Sequence, residues 1–87
     1  MEMKFIVTDE AGLHARPATK LVNAASKFTS DLSLVYSGRS VNLKSIMGVM
    51  SLGIRQGAEI TIIANGDDAE QALAEIEQEL KSQGICK

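Results

Sequence analysis

The sequence is poor in the residues on which most enzymes and nucleic-acid binders depend. Phe5, Phe28 and Tyr36 are its only aromatic side chains, and tryptophan is absent. That is too few rings for a base-stacking platform. Positive charge is not in excess either: the net charge is -2, without a long basic or acidic run. Affinity for a phosphate backbone needs a basic face, so no direct nucleic-acid binding is expected, and a ferredoxin-like RNA-binding domain fails on both counts. His14 is the only histidine and Cys86 the only cysteine. Together they cannot supply the three or four ligands of a typical zinc site, so no metal is expected. A lone cysteine forms no internal disulfide and suits a reducing cytosol. Cys86 reads as a tail residue with no chemical role.

Other absences narrow the chemistry further. No run approaches the roughly 18 apolar residues of a membrane helix, so no membrane insertion is expected. Met1-Glu2-Met3-Lys4-Phe5 carries acid and no sustained apolar stretch, unlike a signal peptide. A cytoplasmic location is the expectation. The chain has no G-x-x-x-x-G-K-[ST] loop and no G-x-G-x-x-G turn, so no nucleotide cofactor is expected. A Ser-His-Asp triad would need a pocket that a domain of 87 residues can hardly house. Phosphate chemistry here would therefore use phosphate delivered by another protein.

What is present is one domain, residues 1–87, of ordinary globular composition: 45% hydrophobic and 23% charged, without linker, repeat or low-complexity segment. Met3, Phe5 and Val7 alternate with Lys4, Ile6 and Thr8, which predicts a strand over residues 3 to 8 with one buried face. Ala18, Leu21, Val22, Ala25 and Phe28 fall at helical spacing. Pro17 is tolerated in a first helical turn, so this helix starts just after His14. Leu32, Leu34 and Tyr36, then Val41 and Leu43, alternate on either side of the turn Ser37-Gly38-Arg39 and predict a hairpin. Ser45 before and Gly53 after the apolar segment Ile46 to Leu52 are helix start and stop signals. Residues 59 to 64 read as a strand. Asp67 and Asp68 open a final helix whose buried stripe is Ala69, Leu73, Ile76 and Leu80, with Gly84 past its end. The order β-α-β-β-α-β-α predicts an α+β fold, an antiparallel sheet with helices packed on one face.

The chemistry concentrates in Leu13-His14-Ala15-Arg16-Pro17-Ala18. A histidine at a helix N-terminus is most often a cap or loop residue without a role. Two features favour a phosphate site here. The unpaired N–H groups and positive potential of a helix N-terminus bind anions. Pro17 offers no N–H, which leaves Ala15, Arg16 and Ala18 as backbone donors. Arg16 adds a guanidinium fork suited to phosphate. The positive potential favours the neutral, nucleophilic ring of His14 and, once phosphate is attached, favours its anionic oxygens.

With these residues in view, the sequence closely resembles the histidine-containing phosphocarrier (HPr) family of the bacterial phosphoenolpyruvate:sugar phosphotransferase system. Two motifs carry the resemblance: Gly12-Leu13-His14-Ala15-Arg16-Pro17-Ala18 and Ser45-Ile46-Met47-Gly48-Val49-Met50. The motif that begins at Ser45 is similar to the Gram-positive (Firmicute) form, in which the serine is a regulatory phosphorylation site. The resemblance implies an open-faced β-sandwich with a four-stranded antiparallel sheet, order 1-4-2-3, and three helices on one face. It also implies a covalently phosphorylated carrier, not a stand-alone catalyst. Enzyme I would place phosphate on Nδ1 of His14, and the carrier would pass it to the IIA components of sugar permeases. Related regulatory paralogues lack the active histidine, and His14 argues against that assignment. A monomer is expected.

Methionines at helical spacing are usually core. A helix as short as Ile46 to Leu52 cannot bury every apolar face, however, and Met side chains repack readily against several partners. Ile46, Met47 and Met50 are therefore expected to be partly exposed, and the resemblance implies that they dock partners. Ser45 reads from its position as an N-cap. The resemblance makes it a target of a bifunctional HPr kinase/phosphorylase, whose action would slow transfer and allow binding to a catabolite control repressor. A protein that acts only through phosphorylated Ser45 is the rival to a phosphocarrier, and the two roles coexist in the resembling family.

Overall fold

Alternating apolar residues become strands because burying one face of a pleated sheet requires a period of two. The computed structural model describes all residues, Met1–Lys87. Its strands are β1 (Glu2–Ile6), β2 (Asp31–Tyr36), β3 (Arg39–Asn42) and β4 (Glu59–Asn65), and its helices are α1 (Ala15–Ala25), α2 (Ile46–Met50) and α3 (Ala69–Ser82). The four strands form one antiparallel sheet of order β1-β4-β2-β3. Fold class and strand order are those expected.

The register sets the two faces apart. Phe5 lies opposite Ile60, and Met3, Ile62, Leu34 and Val41 form a row across the sheet. Phe5, Ile60, Ile62, Leu34 and Leu32 are buried. They pack with Leu21, Val22 and Ala25 of α1, Val49 of α2, and Leu73, Ile76 and Leu80 of α3 in a single core. The opposite row, Lys4, Thr61, Val35 and Ser40, is half-buried or exposed, so that face is open. The hairpin turn is tighter than expected: Tyr36 pairs with Arg39, leaving only Ser37 and Gly38 between the strands. Both have positive φ, 50° and 77°, as a type I′ turn requires.

Three expectations change at element ends. The first strand stops at Ile6, because the Val7 N–H turns to Ala58 O at 2.9 Å and Val7 bridges to Cys86. The short helix ends at Met50, where the chain tightens through Leu52 N–H to Val49 O and Gly53 N–H to Met50 O. Phe28 lies beyond α1 and is half-buried.

Cys86 is likewise no loose tail residue. Ile6 N–H donates to Lys87 O and Lys87 N–H to Ile6 O, both at 2.9 Å, while Thr8 N–H reaches Ile85 O at 2.8 Å. This clip seats Ile85 and Cys86 in the core, and burial pushes the Cys86 thiol up to about 12. The thiol is inert because it is buried, although it lies near the end of the chain.

A further long-range tie holds the start of α3. The Asp68 carboxylate accepts the N–H groups of Thr29 and Ser30, each at 2.9 Å, as well as both their hydroxyls. The Ser30 hydroxyl first, then the Thr29 amide, holds the Asp68 carboxyl down at about 2. Asp68 stands at the N-cap of α3, but its side chain makes no capping bond there. It pins the α1–β2 connection instead.

Candidate functional site: the His14 helix start and the α2 face

The loop from Thr8 to His14 is held from two sides. Leu13 N–H donates to Ile54 O at 3.0 Å, and Gln56 Nε2 donates to Thr8 O at 3.2 Å. On the other side lies the C-terminal clip. Gly12 makes this packing possible. Its φ is +73°, and a Cβ there would fall 2.9 Å from Cα of Arg55.

His14 is the N-cap of α1 in extended backbone (φ -84°, ψ -168°), and its side chain makes no capping bond. The imidazole is 43% exposed. Ala15 and Arg16 have no helical residue four positions earlier to accept their N–H groups, and neither amide has another protein partner. Ala18 differs from expectation, because its N–H donates to His14 O at 2.9 Å in the first helical bond. The donors left for an anion are therefore Ala15 and Arg16. The Arg16 side chain is exposed and forms no ion pair.

The sequence reading missed two residues. Asp9 places Oδ1 3.7 Å from Nε2 of His14, so the ring does not sit in a purely positive field. The same oxygen accepts Ala11 N–H at 2.9 Å, and Gly12 N–H reaches Asp9 O at 2.9 Å. An aspartate ahead of Glu10-Ala11-Gly12 is the signal for such an Asx turn and was available in the sequence. Arg55, whose backbone packs on Gly12, brings another exposed cation beside the loop. That contact crosses more than forty positions of sequence and leaves no local signature.

The Ser45 motif forms α2. The Ser45 Oγ accepts Gly48 N–H at 3.0 Å, so its side chain is a working N-cap. Val49 points into the core, while Ile46, Met47 and Met50 remain 38%, 84% and 43% exposed. From Met50 the chain runs directly to Ile54, the partner of Leu13, and α2 packs against α1. The apolar face and the His14 loop are thus neighbours in the fold. No group of His, Cys, Asp and Glu side chains is arranged to hold a metal ion.

Comparison with known proteins bears on this arrangement. Residues 1–82 match the family model described as the PTS HPr component phosphorylation site. The chain belongs to the HPr phosphocarrier family. Solved HPr structures agree along the length of the chain. The histidine-containing phosphocarrier protein of a Mycoplasma is 44% identical, with a TM-score of 0.97 over 100% of this chain and 99% of that one. The HPr of Bacillus anthracis is 42% identical, with a TM-score of 0.84 over 91% of this chain and 94% of that one. The catabolite-repression protein Crh of Bacillus subtilis, a swapped dimer in its crystal, is 44% identical with a TM-score of 0.75, each chain being covered over 85% of its length. As an HPr, the chain is a phosphocarrier of the phosphotransferase system and not a catalyst in its own right. No helix is long and apolar enough to cross a membrane.

Proposed function

We propose that this phosphocarrier holds its phosphoryl group on His14, accepting it from phosphorylated enzyme I and donating it to IIA components of sugar permeases in the cytoplasm. The observation that carries this reading is the uncommitted start of α1: an exposed imidazole with no capping bond, two free amides beside it, and an unpaired Arg16. Arg16 and the amides of Ala15 and Arg16 would meet the phosphoryl oxygens as charge builds on them. A site this open stabilises the phosphoryl group only weakly; one helix-dipole contact is worth about 0.3–1 kcal/mol. Weak holding suits a carrier, which must release what it takes. Ile46, Met47 and Met50 give both partners an apolar surface to close over, and the carrier acts as a monomer.

Labelled phosphoenolpyruvate with enzyme I tests the relay, followed by a chase with a IIA protein. An acid-labile, alkali-stable label that appears on the chain and moves to IIA is the expected result. No label, or an acid-stable one, would overturn the reading.

The Ser45 cap favours a regulatory role alongside the first, in which a bifunctional HPr kinase/phosphorylase modifies Ser45. Phosphate at a helix N-terminus meets the positive end of the dipole, so α2 gains stability. A partner closing over Met47 would then have to desolvate a dianion. Phosphorylated Ser45 should leave the fold intact, raise the melting temperature slightly, slow transfer from enzyme I sharply, and offer an anionic surface to a basic repressor. Calorimetry and transfer rates on the modified protein decide this. A lowered melting temperature with unchanged transfer leaves Ser45 as a cap alone.

A further inference from the structure

Asp9 is the carboxylate paired with the imidazole, and it is fixed from three directions. Its N–H donates to Ile85 O at 3.3 Å, its carbonyl accepts Gly12 N–H at 2.9 Å, and its Oδ1 accepts Ala11 N–H at 2.9 Å. The oxygen held by Ala11 is the one that faces Nε2 of His14 at 3.7 Å. The C-terminal clip and the Asx turn thus place a carboxylate on one particular nitrogen of the ring. A distance of 3.7 Å is longer than a hydrogen bond, but such contacts in a free protein commonly tighten as charge develops during reaction.

We infer that Asp9 is a positioning residue that keeps the proton of His14 on Nε2 and so presents Nδ1 as the nucleophile. Which ring nitrogen carries the proton is set by whether the groups facing each nitrogen donate or accept, and an ionised carboxylate can only accept, so it favours an N–H on the nitrogen it faces. With Nε2 protonated, transfer needs no proton movement. The Nδ1 lone pair attacks phosphorus, and the P–N bond of the donor breaks with its electron pair returning to the donor nitrogen. The His14 ring becomes a phosphoimidazolium, whose positive charge faces the Asp9 carboxylate. On donation the P–Nδ1 bond breaks, its electron pair returns to His14, and the ring is neutral again with the Nε2 proton in place. The effect on transfer rests on His14 being the phosphorylated residue; the effect on the tautomer does not.

Asp9→Asn is the test, because asparagine retains a side-chain oxygen for the Ala11 N–H and removes the charge. Nitrogen-15 NMR of the His14 ring in alkaline solution reads the tautomer directly, without phosphate or partner. The wild-type ring is expected in the Nε2–H form and the variant ring in a mixture. Phosphorylation by phosphoramidate, a donor too small to dock on α2, should slow about tenfold, the scale of losing a carboxylate that orients a histidine. Thermal melting should be little changed. Identical ring spectra in the two proteins overturn the inference, as does an altered tautomer with unaltered phosphorylation by phosphoramidate. Failure of wild-type His14 to take phosphate from either donor defeats the carrier reading instead and leaves the tautomer result standing.

Discussion

The two motif helices begin in opposite ways. Ser45 commits its side chain to the start of α2 through Gly48 N–H, whereas His14 begins α1 and caps nothing. Ser45 is half-buried and His14 exposed. A side chain already engaged in capping contributes to stability, and modification must work around that engagement. A side chain that leaves the helix start open contributes little to stability and keeps its ring lone pair, and the amides of Ala15 and Arg16, available for chemistry. Asp68 is a third case. It stands at the start of α3 but spends its carboxylate on Thr29 and Ser30, so it fastens the α1–β2 connection and caps nothing.

Breaking the uncommitted end should have the largest effect and cost no stability. His14→Ala is expected to abolish phosphoenolpyruvate-dependent labelling completely while the melting temperature stays within a few degrees, because no capping bond is lost. Labelling and thermal melts on the same preparation check this. Arg16→Glu should slow transfer from enzyme I about 100-fold, the scale of losing a charged donor to a developing oxyanion, again with little change in stability. A transfer rate equal to wild type would make Arg16 a solvated surface residue only.

The comparison sharpens at α2. Met47→Asp puts a charge on the most exposed apolar side chain of that helix and should weaken binding to enzyme I by about 1–3 kcal/mol in calorimetric titration. Ser45→Ala should show the reverse of His14→Ala: a loss of about 1 kcal/mol in denaturant unfolding, with labelling of His14 retained. If both variants lowered stability alike, the distinction between committed and open caps would fail.

The smallest effect belongs to Asp68. Its carboxyl is held down to about 2 from an ordinary 3.8. The folded state therefore binds its proton less readily than the unfolded chain. The stability this confers is fully present above about pH 4 and is lost as pH falls through about 2. Asp68→Asn should flatten that part of the acid-unfolding curve without altering its shape near neutrality, as urea melts across the range would show.

Much of the fold was legible in the sequence, and the boundary is physical. Strand faces followed from alternation at Phe5, Val7, Leu32 and Leu34, and the stripe Ala69, Leu73, Ile76 and Leu80 from helical spacing, because both patterns are local. The Ser45 cap was legible for the same reason. Strand order was not local and came from the family resemblance. The pairing of Val7 with Cys86, the grip of Asp68 on Ser30, and the contact of Arg55 with Gly12 each join distant positions, and no periodicity encodes them. The amide of Ala18 is no free donor because the first helical bond, to His14 O, consumes it, which a count of donors along the chain leaves out. Asp9 was missed although its turn signal was present, since the turn alone does not reveal that its carboxylate faces the ring.

The most direct measurement is to map the phosphorylated residue. The protein is incubated with enzyme I and phosphoenolpyruvate, kept away from acid, and read by mass spectrometry together with phosphorus–nitrogen coupling in NMR. A single phosphate on Nδ1 of His14, with Ser45 unmodified, is the expected result; phosphate on any other residue, or none at all, contradicts it.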